Sequence, residues 1–580
     1  MQQKRQRCLN AILLFRQITM KGNPMRNSLM TNSIQTSSAN SYPIKRMRCF
    51  AFSLLVLSAA RIDVSHQAAA QDADAWFSQE VIDAANGILG SGLEKYLSGS
   101  GRNALERQSG RLPSTKNGTS GGSVVSLPFQ SARFQVMVND PADDDFAIDD
   151  ISTHSETAVA AYGNSVVVAF NNSPGFVYPS QSGMAYGHSR DGGVSFAPRE
   201  SFPVPKSGYN EGDPAVVVNR RGIFYAANIA FDSKRPSAFQ NTVGISKSTD
   251  GGITFGLPAY LPAVGVASNS FQDKEFIAVD TSGGSSDGNL YVTFTSFDFN
   301  DFSQLPIMLS SSINGGTNFL RPIRLSATNT INQGSEAAVG PNGEVYVTWF
   351  QFFGPQDSGI VVARSTNAGR RFNAPVFAAP AVPIGFNSGN MLGNFRVNSF
   401  PRIDVDPSSG NLYITYASRP GHGDSGDIFF IRSTDGGATW SAPLRVNDDP
   451  GNNDQFFPDV AVNSDGIIRL IWYDKRRDPN NIGMTVFTAV STDGGISFGP
   501  NIAITPGAFA PAVGYDPVLN PVYMGDYIDI KAGMGANGRT SGFYLAWTDC
   551  RRWLTTSGGT RPNQDVFFSR FVQSRSPQAQ

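Results

Sequence analysis

An eight-residue stretch recurs six times along the chain, and it constrains the fold more than any other feature. It reads SRDGGVSF at 189–196, STDGGITF at 248–255 and SINGGTNF at 312–319. It returns as STNAGRRF at 365–372, STDGGATW at 433–440 and STDGGISF at 491–498. Successive copies start 59, 64, 53, 68 and 58 residues apart. A near-constant period of this size marks one supersecondary unit repeated in tandem, each copy needing its neighbours to bury a core. The common pattern is Ser-x-Asp/Asn-x-Gly-x-x-Phe/Trp. Asp or Asn at the third position accepts hydrogen bonds from loop N–H groups. Glycine turns the backbone, and the aromatic opens the next strand with a large apolar area. Asn314 and Asn367 keep the acceptor oxygen without the charge, so the oxygen matters more than ionisation.

Each unit carries the same surroundings. An apolar stretch such as 214–218 leads to a turn such as 219–222, then to an aromatic-rich strand such as 223–230. A third strand, such as 428–432, runs into the repeated stretch, and a fourth, such as 443–446, leaves it. Four short antiparallel strands per unit is the plan of a propeller blade. Composition agrees: Gly is 59 and Pro 35 of 580 residues, Phe is 41, and charged residues are only 16%. Such a balance suits an all-β chain rather than a helical bundle.

The ends set the blade count. Segments 527–530, 543–547 and 566–571 supply three strands of a blade that lacks a fourth. Residues 134–139, FQVMVN, resemble the fourth-strand segment 445–449, both in pattern and in the acidic residues just after it. The expectation is an all-β, seven-bladed β-propeller over 131–573, closed by an N-terminal strand. A six-bladed ring with a C-terminal appendage is the alternative.

The repeat resembles the Asp-box, or BNR, repeat of the sialidase superfamily of β-propellers. The resemblance covers the propeller region, and it implies that Asp191, Asp250, Asn314, Asn367, Asp435 and Asp493 are structural. In that superfamily these turns lie opposite the active site. Its enzymes hold a substrate carboxylate with three Arg, attack with a Tyr assisted by Glu, and use an Asp as acid/base. Carried over, this implies Tyr527 as nucleophile, Glu275 or Glu336 as its assisting carboxylate, and Asp149 or Asp150 as acid, with Asp150 the choice. The family's Phe/Tyr-Arg-Ile-Pro motif is absent; the nearest letters are Phe400-Pro401-Arg402-Ile403. The enzymes are also typically six-bladed.

Loops from strand four to strand one, and from strand two to strand three, share one rim. Their polar residues include Glu156, Glu211, Asp213, Glu275, Glu336, Arg402, Asp459 and Asp526. Trp-x-Asp-x-Arg-Arg occurs twice, at 472–477 and 547–552. Arg402, Arg476 and Arg551 suit bidentate carboxylate recognition, and Trp472 and Trp547 offer flat faces to sugar rings. The competing reading is that Asp474 and Asp549 pair with these arginines to fasten the blades.

Scarce residues exclude other classes. The charge balance is −1, without the basic excess of a nucleic-acid binder. Four His and three Cys form no zinc spacing, so no cofactor is expected. Asp143–Asp145 and 447–454 cluster oxygen ligands of the type Ca²⁺ takes, but in no EF-hand spacing.

Lys45, Arg46 and Arg48, the apolar run 49–60 and Ala68–Ala70 read in order as an export signal cleaved before Gln71, with Met47 as a candidate start. The expected organisation is a leader and signal over 1–70, a helical segment over 71–97, a flexible linker over 98–130, the propeller over 131–573 and a tail over 574–580. No span long enough to cross a bilayer is expected in the mature chain. The product is a secreted or periplasmic propeller that binds glycans or proteins at its rim. The alternatives are a sialidase-like glycoside hydrolase acting on acidic glycans and a structural envelope propeller.

Overall fold

The computed structural model describes residues 86, 89, 94–109, 134–144, 151–177, 182–197, 200–234, 241–264, 270–298, 301, 303–354, 358–385, 391–420, 424–556 and 559–572. The expected leader, most of the 71–97 segment, residues 145–150 and the tail lie outside them. All the described residues belong to one compact unit, Asp63–Gln580. Among them no helix is long and apolar enough to cross a membrane.

The protein is almost wholly β. Four sheets are four-stranded antiparallel meanders, each in chain order. A fifth begins with a divided first strand, since Gly208–Asn210 and Ala215–Val218 both pair with Phe224–Asp232. The eight-stranded sheet is two meanders joined by the single parallel pair Tyr162↔Met534. One half runs His154–Tyr162, Ser165–Asn172, Met184–Ser189 and Glu200–Ser201. The other runs Asp529–Met534, Thr540–Asp549, Asp565–Phe571 and finally Val136–Met137. Val136 pairs with Phe568 and Met137 with Phe567, so the N-terminal strand completes the C-terminal meander. Ring closure of this kind removes exposed sheet edges.

The first strands are His154–Tyr162, Ala215–Val218, Ser270–Val279, Ile331–Val339, Arg402–Val405, Gln455–Val462 and Asp529–Met534. Each touches the next, and the last touches the first, so they line a closed ring.

The repeated turns fasten neighbouring sheets. In the first, Ser189 Oγ donates to Asp191 Oδ1 at 2.7 Å, and Gly193 N–H donates to Ser189 Oγ at 2.8 Å. Ser195 donates its N–H to Asp191 Oδ1 at 3.0 Å and its hydroxyl to Oδ2 at 2.6 Å. The asparagine versions keep the Oδ1 bonds: Asn318 N–H reaches Asn314 Oδ1 at 3.0 Å, and Arg371 N–H reaches Asn367 Oδ1 at 2.9 Å. Aromatics then lock the turns to the preceding sheet. Phe255 meets Tyr186 at 4.9 Å, Phe498 meets Phe430 at 5.0 Å and Phe196 meets Phe568 at 5.1 Å between ring centroids. A Cβ on Gly193 would lie 2.3 Å from the Phe568 ring, which explains glycine there.

One element departs from the expectation. The span read as linker contains a helix, Gly99–Gln108, behind a 3-10 turn, Glu94–Tyr96. Ser98 caps it by accepting the Gly101 N–H at 2.9 Å, and Arg102 pairs with Glu106 one turn on at 2.9 Å. Its glycines suggested a linker, but Gly101 is required by packing, because a Cβ there would sit 1.7 Å from Asp273 Oδ1.

Candidate functional site

The site arises where the first strands begin. Strands one and three of a meander run in the same direction, so this end lies opposite the repeated turns. Several first strands enter through a kink with left-handed backbone: Glu156 (φ 53), Asp213 (φ 59), Lys274 (φ 53), Gly334 (φ 69), Phe457 (φ 49) and Gly525 (φ 82). Four show a register shift at the kink, as between Ser155 and Ala158 or Asp273 and Phe276. A charged side chain in this backbone region carries strain, and such strain gathers at functional sites. Two residues past four of these kinks, Phe276, Glu336, Asp459 and Tyr527 converge from different sheets on Arg402.

Arg402 anchors an ion-pair layer. Its Nε lies 3.0 Å from Asp459 and 3.3 Å from Glu336, and one Nη lies 2.9 Å from Asp529. Lys531 reaches Glu336 at 3.3 Å and Asp529 at 3.2 Å. Backbone donors complete it, with Ile530 N–H on Asp459 at 2.8 Å and Val159 N–H on Asp529 at 2.7 Å. Burial pushes Asp529 up to about 7, while the same neighbours raise Arg402 further above its ordinary range. This layer ties the first strands together and commits Arg402 to carboxylates of the protein itself.

Above it lies a second cluster with different chemistry. Lys274 is buried, with Nζ 3.5 Å from the Tyr527 ring centroid and 4.3 Å from that of Phe276. Among the described residues, Lys274 Nζ and both carboxylate oxygens of Glu275 have no hydrogen-bond partner, while the Asp213 carboxyl shares a side-chain hydrogen bond with Glu156. Asn171 braces the cluster, donating to Glu156 at 2.9 Å and to Tyr523 at 2.6 Å while accepting the Asp213 N–H at 3.1 Å. Arg396 holds Asp526 at 2.8 Å. Five carboxyl groups, those of Glu156, Asp213, Asp273, Glu275 and Asp526, thus share two cations. Burial, then Asp213, pushes Glu156 and Glu275 well above the usual carboxylate range, and pushes Asp273 up to about 7. A carboxyl group kept protonated at neutral pH can donate a hydrogen bond or a proton. Burying such groups without partners is costly, so their retention needs a use.

Tyr527 and Glu275 belong to this cluster, as does Glu156. The Tyr527 hydroxyl donates to the Pro214 carbonyl at 2.8 Å. Burial, then Glu156, Asp213 and Glu275, raises its pKa well above the ordinary value. As placed, it is not an activated nucleophile. Asp150, with Asp149, lies outside the described residues.

The structure does not bring the expected ligand arginines together. Arg402 is only 3% exposed and held by the carboxylates above through Nε and one Nη, while its other Nη makes no hydrogen bond. Arg476 pairs with Asp474, Asp448 and Asp449, and Arg551 pairs with Asp549 and Gln135. Trp472 and Trp547 are fully buried, each donating its indole N–H at 2.9 Å, to Asp474 and Asp549 respectively. They offer no face to a sugar, and the doublet is a fastening. The acidic stretches are also committed: Asp144 holds Arg552, Asp449 holds Arg445 and Asp454 holds Lys475. No group able to hold a metal occurs among the described residues.

Lys274, Asp273 and Arg396 escaped the sequence reading, and Glu156 and Asp213 appeared only among many rim residues. Alignment of the units on their first strands, rather than on the repeated turns, lines up Glu156, Asp213 and Lys274 at one register position.

No family model and no curated protein matches the chain. Solved structures with some likeness include a Hadza microbial sialidase, at 12% identity over 67% of this chain and 73% of that one, TM-score 0.38. An α-L-arabinofuranosidase of Fusarium graminearum, solved with arabinobiose, matches at 12% identity over 63% of this chain and 98% of that one, TM-score 0.39. An ulvan lyase matches at 10% identity over 71% of this chain and 93% of that one, TM-score 0.43. Likeness this distant carries no argument about activity.

Proposed function

We propose that the chain is an exported, seven-bladed β-propeller of the Asp-box type that binds glycans at the end of the ring where the first strands begin. Glu156, Asp213, Lys274 and Glu275 are its ligand contacts. The observation that supports this is the set of buried, unpartnered polar atoms on Lys274 and Glu275. A sugar hydroxyl both donates and accepts, so it can serve protonated carboxyl, carboxylate and ammonium within one pocket. The excess of carboxyl groups favours neutral sugars over sialylated or uronic acid ligands. Hydrolysis is the second reading, supported by the upward push that burial and Asp213 give Glu156 and Glu275, the direction a general acid needs.

The test is titration calorimetry of the 71–580 protein with neutral, uronic acid and sialylated oligosaccharides, beside a fluorogenic glycoside panel. Binding of a neutral glycan that Glu275→Gln weakens at least tenfold is the expected result. Equal binding by Glu275→Gln and the parent protein removes the cluster as the site. Turnover lost in Glu275→Gln favours the hydrolase.

A further inference from the structure

The Gly99–Gln108 helix sits on the proposed site. Ser98, its cap, donates its N–H and hydroxyl to the two oxygens of Asp273 at 2.7 and 2.6 Å. The Leu97 carbonyl accepts from Arg396 at 2.9 Å, on the guanidinium that also holds Asp526. Asn103 and Glu106 engage Asn520 at 3.0 and 3.3 Å. Leu97 and Leu105 are fully buried in a cluster with Phe271, Phe297, Leu305 and Ile331. Directly beside Asp273 in the chain lie Lys274 and Glu275, sealed from water and without hydrogen-bond partners. The helix therefore covers Asp273, the chain neighbour of groups that it does not itself satisfy.

We infer that this helix is an intramolecular plug, which occupies the ligand's place and must leave before a glycan can reach Lys274 and Glu275. The inference rests on the proposed function for the identity of the ligand, but not for the existence of the plug. Its contacts imitate a sugar: two adjacent donors on one carboxylate and one acceptor oxygen on a guanidinium. A ligand with vicinal hydroxyls makes the same bonds and adds partners for Lys274 and Glu275. The helix can leave without disturbing the closing strand, because the chain from Ser109 to Phe134 reaches more than about 80 Å when extended.

The experiment reads the accessibility of Lys274. Acetylation by an N-hydroxysuccinimide ester, followed by peptide mass spectrometry, is compared in the parent protein, Gly101→Val and Leu105→Asp. Gly101→Val places a side chain against Asp273 and expels the helix without altering a strand. The expected result is at least a tenfold faster modification of Lys274 in both variants. Unchanged protection in folded variants overturns the plug. A second measurement needs no variant: amide hydrogen exchange of residues 99–108 in the parent protein. Exchange faster than that of the first strands supports the plug, and exchange only with global unfolding overturns it. Exposure of Lys274 without any glycan binding keeps the plug and removes the glycan reading.

Discussion

At the scale of single residues, two positions separate structure from function. Ala368 occupies a turn position where all five other copies have glycine, and its φ is 56. Left-handed backbone penalises a Cβ, so Ala368→Gly is expected to stabilise the fold by about 0.5–1 kcal/mol in urea denaturation. Arg402 sits among Asp459, Glu336 and Asp529. Arg402→Ala leaves buried carboxylates short of a cation and is expected to cost about 3–5 kcal/mol, read as a fall in Tm. A ligand arginine would instead lose binding with little change in Tm. In the sequence, Arg402 read as a rim arginine suited to a ligand carboxylate. Its neighbours come from three other first strands, and no local pattern shows that they converge on it. The buried state of Trp472 and Trp547 was hidden for the same reason, since a strand tryptophan reads alike from either face.

At the scale of elements, the repeated turns were legible because their chemistry is local. Serine, Asp or Asn, and glycine lie within five positions and bond one another. Oδ1 is the acceptor common to all six copies, and Oδ2 adds a bond from Thr439 in the fifth at 2.5 Å. Asp435→Asn is therefore expected to be milder than Asp435→Ala, by about 1 kcal/mol in the same denaturation assay. Equal losses would contradict the shared role of Oδ1. The Gly99–Gln108 helix was illegible because its stability is not local. Gly99 and Gly101 lower its propensity, while docking through Leu97, Ser98 and Leu105 holds it in place. The first strands were read as apolar stretches, but their kinks were missed, since Glu156 and Lys274 are residues that ordinarily avoid positive φ.

At the scale of the molecule, the ring gathers acidic groups into its centre, and this sets its response to pH. Burial pushes Asp273, Asp404 and Asp529 up to about 7. The folded state then holds protons that the unfolded chain releases above about pH 4, so stability falls as pH rises from about 4 to about 7. The turns act oppositely: the Thr439 hydrogen bonds hold Asp435 down at about 2, so its contribution is lost as pH falls from about 4 to about 2. Tm is expected to peak near pH 4–5 in scanning calorimetry, and a Tm that rises from pH 5 to 8 would contradict the buried acidic centre. The central claim is that Asp213 and Glu275 are retained for a ligand and not for the fold. The most direct measurement is the Tm at pH 7 of the double variant Asp213→Asn/Glu275→Gln, which keeps shape and tolerates the left-handed backbone at 213. An unchanged or higher Tm together with loss of glycan binding is expected. A Tm lower by several degrees would show that these carboxyl groups hold the ring together, and would contradict it.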